Sequence, residues 1–156
     1  MDYIKPATMK DALQVLQNIR PEDKSEIEGL GHNLFVLPFC IDSSDVAVSF
    51  FTEPGVIGGV AGIMPDPQEG VGQIFMICTP ALQAKPVTFV RHARKWITEQ
   101  EKNYTLLWNL ADARNLFHHK LLKLLGFKAV QRVYPPPLYN PYLEIVKLCA
   151  RQSSLS

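Results

Sequence analysis

Chemistry in a small protein needs a nucleophile, an acid–base pair, a metal set or an anion cradle, and this chain offers one thin candidate for each. Cys78 closes the apolar run Ile74-Phe75-Met76-Ile77-Cys78, where a thiol could face a cleft. No His or acid neighbours it in sequence, so its surroundings favour a buried thiol. His118 and His119 are adjacent. On a helix they point about 100° apart and cannot chelate one ion as an i, i+4 pair would, so they read as part of a solvated helix face. Gly58, Gly59 and Gly62 lie inside the strand-like run Val56–Met64. They open no helix and make no dinucleotide fingerprint; they mark a bulge or a close backbone approach. Glu69 and Asp112 border strand-like runs, where acids commonly serve turns and caps. Trp96 and Trp108 read as core residues.

Composition narrows the classes. At 156 residues, 47% hydrophobic and 20% charged, the chain is long and apolar enough for one ordinary folded domain. That domain is expected over residues 1–150, with 151–156 as a frayed tail. A net charge of +1 gives no electrostatic footprint for nucleic acid or an anionic membrane. The basic clusters Arg91–Lys95 and His118–Lys123 fall on expected helices as solvated faces. Cys40, Cys78 and Cys149 are odd in number and widely spaced, which predicts free thiols in a reducing compartment. The opening MDYIKPATMKDA lacks a charged-then-apolar leader pattern, and no apolar run reaches the length of about 18 residues that spans a bilayer. A protein in, or packaged from, the cytosol is expected.

The elements that must position these residues follow from periodicity and punctuation. A short strand at Tyr3–Lys5 leads to Thr8, an N-cap with Asp11 three residues on, and Ala12, Leu13, Leu16 and Ile19 mark a helix face. Pro21-Glu22-Asp23 starts a second helix, with acids at its positive end, and Gly29 and Gly31 end it. The run Leu34–Ile41, interrupted by Pro38, reads as helix or irregular packing under the sheet. Val46–Phe51 and Val56–Met64 form a hairpin across Thr52–Gly55, and a turn at Asp66–Gly70 feeds a fourth strand, Val71–Cys78. A helix from Pro86 to about Glu101 turns Val90, Ala93 and Ile97 inward. A strand at Leu106–Leu110 and a helix at Asn115–Leu125 come next, the latter with Phe117, Leu121, Leu124 and Leu125 on its apolar side. Gly126 is the left-handed stop of that helix. Strands at Ala129–Tyr134 and Tyr142–Cys149 flank Pro135-Pro136-Pro137.

An asparagine, Asn115, followed eleven residues later by Gly126-Phe127, resembles the ending of the GNAT fold, that of a large superfamily of N-acetyltransferases. The element order resembles that family too. The resemblance implies an α/β fold, a mixed, mostly antiparallel central sheet with helices on both faces. It also implies acetyl-CoA, with its pyrophosphate on the loop after the fourth strand and its pantetheine in a V-shaped splay between the fourth and fifth strands.

The family pattern on that loop is Gln/Arg-x-x-Gly-x-Gly/Ala, and here the matching residues are Gln83-Ala84-Lys85-Pro86-Val87-Thr88. Proline has no N–H to offer a phosphate, and one mobile lysine replaces a nest of amides poorly. The family's general acid, a tyrosine seven residues after the asparagine, is replaced by Leu122; Tyr134, Tyr139 and Tyr142 lie elsewhere. The fourth strand carries no carboxylate, His or Tyr to act as a base. No catalytic residue, no metal and no cofactor are therefore expected. Under the alternative, acetyl-CoA would rest on Thr79, Gln83 and Lys85, with Asn115 helping to orient it.

A narrower resemblance rests on Lys5-Pro6-Ala7-Thr8 with Asp11-Ala12, Ile19–Ile27, Ile74–Thr79, Phe89-Val90-Arg91 and Asn109–Asn115 through Gly126-Phe127. Over roughly residues 3–130 the chain is similar to GNAT-like proteins of tailed phages, a group that includes an internal virion protein of short-tailed podophages. This implies a virion-associated or assembly protein that uses a degenerate GNAT fold as a binding scaffold. Its partners would be other phage structural proteins, docking on the Pro- and Tyr-rich segment Tyr134–Tyr142. It would reside in the virion, and in the host cytoplasm during infection. The alternative is an acetyl-CoA-dependent N-acetyltransferase acting on a host or phage amine. Self-association is left open.

Overall fold

The computed structural model describes residues 2–149; the tail expected to fray, 151–156, lies outside them. Seven strands form one sheet: β1 (Ile4–Pro6), β2 (Val46–Glu53), β3 (Val56–Pro65), β4 (Val71–Cys78), β5 (Leu106–Asp112), β6 (Lys128–Val133) and β7 (Tyr142–Leu148). Their spatial order is β1-β2-β3-β4-β5-β7-β6. Every neighbouring pair is antiparallel except β4 with β5. The mixed, mostly antiparallel sheet expected from the sequence is present.

Helices α1 (Met9–Gln17), α2 (Pro21–Gly29) and α3 (Val36–Ser43) precede β2. Helices α4 (Pro80–Ala84) and α5 (Pro86–Gln100) follow β4, and α6 (Leu116–Leu124) follows β5. Two apolar clusters show that the helices cover both faces. One joins Ala12, Val15, Ile27 and Leu37 to Val60 and Ile77. The other joins Phe89, Trp96, Ile97 and Leu121 to Ile63 and Leu107.

Local chemistry sets the ends of these elements. Thr8 and Asp11 form the reciprocal capping box that starts α1. Gly126 ends α6 at φ +95°; its N–H bonds to the Lys123 carbonyl, and Phe127 N–H bonds to the Leu122 carbonyl. Those two bonds make the left-handed stop that the glycine predicts. The glycines of β3 mark close approach: a Cβ on Gly59 would meet the Ile77 carbonyl oxygen at 2.6 Å.

Of the two readings open for the segment around Pro38, the helix is the one formed, α3, and α4 is an additional short helix between Thr79 and Lys85. Two expectations need correction. Leu13 faces outward, and Val15 takes its place inside. On α6, Leu122 is buried beside Leu121 and Leu124 is exposed, so the apolar side runs through Leu121, Leu122 and Leu125.

Candidate functional site

β4 and β5 pair over three positions only, from Val71 opposite Leu106 to Gln73 opposite Trp108. Beyond that point they separate. A single side-chain bond spans the start of the gap, from Asn109 Nδ2 to the Ile74 carbonyl at 2.6 Å. The gap is the splay that the acetyltransferase resemblance implies.

The N-terminal half of α2 fills the wide end. The Arg20 N–H donates to the Cys78 carbonyl at 3.0 Å. Asp23 Oδ2 accepts from Cys78 N–H at 2.8 Å, and Glu26 Oε1 accepts from Asp112 N–H at 2.9 Å. The ends of both strands are thus satisfied by α2, as buried backbone groups require. Pro21 at the first helical position and a β-region Arg20 before it let the chain turn sharply from α1 into this helix.

Side chains lock the arrangement. Arg20 donates from Nε to Gln83 Oε1 at 3.0 Å, and from Nη1 to Asp23 Oδ1 at 3.0 Å and Asn115 Oδ1 at 3.3 Å. Asn115 Nδ2 donates to Asp23 Oδ1 and Glu26 Oε2. His118 Nδ1 lies 3.0 Å from Glu26 Oε2, and the Tyr142 hydroxyl donates to the Glu26 carbonyl. Arg20, Asp23 and Asn115 are 2%, 1% and 1% exposed, so nothing in solution touches them. Burial pushes the Asp23 carboxyl above its ordinary range, against the pull of His118, Asn115 and Arg20. Burial pulls His118 down, but the Glu26 and Asp23 carboxylates outweigh it and its pKa is raised.

Asp23, Glu26 and His118 bring ligand-type atoms within 4.8 Å of one another. Every carboxylate oxygen in the set already accepts a hydrogen bond, and Arg20 supplies the positive charge. The cluster is an ion-pair network and leaves no lone pair aimed at a cation.

The residues that resemblance assigns to the cofactor fall in two groups. Arg20 draws Gln83 and Asn115 together: both polar atoms of Asn115 are engaged, and Gln83 gives its Oε1 to the guanidinium. Thr79 turns away to β3, its hydroxyl donating to the Ile57 carbonyl at 3.0 Å. Lys85 is exposed and sits 3.6 Å from Glu53. His118 corrects its expectation: it is buried, because α6 turns that residue to the Glu26 carboxylate while His119 bonds the Asp112 carbonyl. Cys78 is buried, and burial raises its thiol well above the ordinary range. Asp112 serves a turn, accepting from Arg114 N–H and its guanidinium. Sequence reasoning missed Arg20, Asp23 and Glu26; the acids read as partners for the helix dipole, and nothing local shows that their helix enters the sheet.

Deeper in the splay the gap becomes an apolar cavity of about 150 Å³, lined among others by Val36, Cys40, Trp96, Ala111, His118 and Leu122.

No protein-family model matches the chain, and no curated protein matches it in sequence. Solved structures do. An acetyltransferase of the GNAT family from Bacillus anthracis matches with a TM-score of 0.69 at 11% identity, over 93% of this chain and 93% of that one. The fold is that of the GNAT acetyltransferases. Aminoglycoside N(6')acetyltransferase from Legionella pneumophila matches with a TM-score of 0.68 at 13% identity, covering 95% and 94%. Spermidine N-acetyltransferase from Vibrio cholerae, in complex with CoA and spermine, matches with a TM-score of 0.66 at 13% identity, covering 95% of each chain.

The GNAT fold implies coenzyme A, so the residues can be tested against it. α5 opens on Pro86 and α4 on Pro80, neither of which has an N–H for a phosphate. The Thr79 N–H is held by the Gly58 carbonyl. The Cys78 backbone groups, which a ligand lying along β4 would need, are held by α2. The site does not fit the cofactor in this conformation.

Proposed function

We propose that this chain uses the acetyltransferase fold as a protein-binding scaffold in phage virion assembly and does not transfer acetyl groups. One observation carries the reading: α2 occupies the wide end of the splay and engages Cys78 on β4 and Asp112 on β5. The assembly context rests on the sequence resemblance over residues 3–130. Other phage structural proteins are the partners, with the virion, and the host cytoplasm during infection, as its locations.

The docking segment is the loop before β7. Tyr134, Leu138 and Tyr139 are more than half exposed. Four prolines stiffen the loop, a Tyr139 N–H to Pro135 carbonyl bond closes it, and the buried Tyr142 anchors its end on Glu26. Rigid, exposed aromatic and aliphatic groups lose little entropy on binding, which suits an interface.

The runner-up is an acetyl-CoA-dependent N-acetyltransferase, favoured by the near full-length likeness to enzymes of that kind, one of them in complex with CoA. It would require α2 to leave the splay and release Gln83 and Asn115, with Thr79 and Lys85 joining them at the cofactor. Titration calorimetry with millimolar acetyl-CoA separates the two. No binding is expected; saturable binding with a micromolar Kd would establish the transferase reading instead. On the assembly side, the protein is expected in purified virions or assembly intermediates.

A further inference from the structure

We propose that the cavity between β4 and β5 is a binding site for a small, uncharged, mostly apolar molecule that carries one hydrogen-bond acceptor. A mainly apolar cavity of about 150 Å³ is large enough to take a benzene-sized molecule. Its inner wall is core: Trp96, Ile97, Leu122, Leu125 and Phe127 are all buried. The lining residues that reach solvent belong to the other side, among them His32, Val36, Cys40, Met64 and Gln73. The mouth therefore opens beside α3, away from the polar network that closes the wide end of the splay.

The chemistry of the ligand follows from what the walls have left over. Trp96 is 6% exposed, and its indole Nε1 has no hydrogen-bond partner among the described residues. A buried donor without an acceptor is costly, and an acceptor brought by a ligand would satisfy it. Of the other polar groups, His32 and Gln73 sit on the solvent side, and the inner ones are engaged with each other or with backbone. Asn109 donates to the Ile74 carbonyl and accepts from Leu110 N–H; Glu26 and His118 hold each other. A charged ligand would find no free counter-charge there, so burying it would be unfavourable. A ring or short chain with a single carbonyl or ether oxygen matches size, polarity and donor together. The site does not depend on the scaffold reading, because its mouth and walls are separate from the segment Tyr134–Tyr142.

The chain contains two tryptophans, Trp96 and Trp108, so their indole N–H resonances in ¹⁵N-labelled protein give a site and a control. Trp108 already donates to Asp66. Titration with cyclohexanone is expected to shift the Trp96 N–H saturably and leave Trp108 in place. Benzene, lacking a strong acceptor, serves as the second probe. Trp96→Phe should weaken cyclohexanone binding about 2- to 10-fold, the worth of one neutral hydrogen bond, while benzene affinity stays within about twofold. Val36→Trp, a half-buried position at the mouth, should weaken both probes and leaves the inner wall intact if an interior variant does not fold. A Trp96 resonance indifferent to both probes would overturn the site. An equal effect of Trp96→Phe on the two would overturn the assigned ligand class. Neither result bears on acetyl-CoA, which the calorimetry tests separately.

Discussion

At the wide end of the gap between β4 and β5, the Asp23 and Glu26 carboxylates accept four hydrogen bonds from the side chains of Arg20, Asn115 and His118 and two from the backbone of Cys78 and Asp112; deeper in the same gap, Trp96 holds a donor with no acceptor among the described residues. Both regions are buried, yet they carry opposite chemistry. The first is polar and complete, so any change to one member strands the others. The second is apolar and incomplete, so it tolerates change and has something to offer a ligand. In a low-dielectric interior a full polar network fixes geometry, whereas an unfilled cavity leaves shape and hydrogen bonding to whatever enters. The contrast explains how one strand gap can be closed at its wide end and keep an opening elsewhere.

The strongest test of the closed end is Arg20→Ala. It removes the cation from a buried site and leaves Asp23, Gln83 and Asn115 without their donor. Breaking a buried pair from one side typically costs about 3–5 kcal/mol, and that loss is expected in urea unfolding. Glu22→Ala removes the exposed partner of the same guanidinium and should change stability by less than about 0.5 kcal/mol. Equal, small effects from the two would mean that the network merely fills space, and the contrast between the two regions would collapse.

The next effect is a pH dependence located at His118. Its folded pKa is raised above the ordinary 6.5 by the Glu26 and Asp23 carboxylates, which outweigh burial and Arg20. A raised pKa means the folded state holds the proton more tightly. That stabilisation is complete below about pH 6.5 and is lost as the pH rises through the folded value. Asp23, also raised, loses its contribution over a window that begins lower, from 3.8 upward. His92 is lowered, which places its opposite contribution below 6.5. Urea midpoints should therefore fall as the pH is taken upward from 6.5. His118→Gln keeps a donor for Glu26 but no charge, so it should cost about 1–2 kcal/mol near pH 6 and progressively less above. A wild-type profile flat from pH 6.5 to 9 would remove the charge from the closed end.

Much of the frame was legible from local signals. The capping box at Thr8 and Asp11, Pro21 at a helix start, the turn at Gly55 and the stop at Gly126 each depend on a few adjacent residues, and each stands where the sequence places it. Asn115 and Gly126-Phe127 marked the acetyltransferase fold. The closed end was not legible. Arg20, Asp23 and Glu26 are separated by 89 to 95 residues from Asn115. Only the tertiary path of α2 turns a solvated acidic helix start into a buried clamp. His118 failed for the same reason: neighbouring histidines on a helix show their spacing but not which of them meets a carboxylate from another element. The cavity left no trace in the sequence, since voids are a property of how side chains meet.

The smallest expected effect belongs to the open end. Trp96→Phe removes part of a large buried ring and so enlarges the cavity, a change that by itself destabilises. It also removes an N–H that is buried without a partner, relieving about 1–3 kcal/mol of unmet hydrogen bonding. The two terms have opposite signs and similar size, so the thermal midpoint should stay close to that of the parent, within the equivalent of about 1 kcal/mol. A loss as large as that of Arg20→Ala would show that the indole N–H is satisfied and that the splay is equally complete at both ends. A near-neutral result, set beside the intolerance of Arg20, would locate the molecule's adaptable interior at the mouth beside α3.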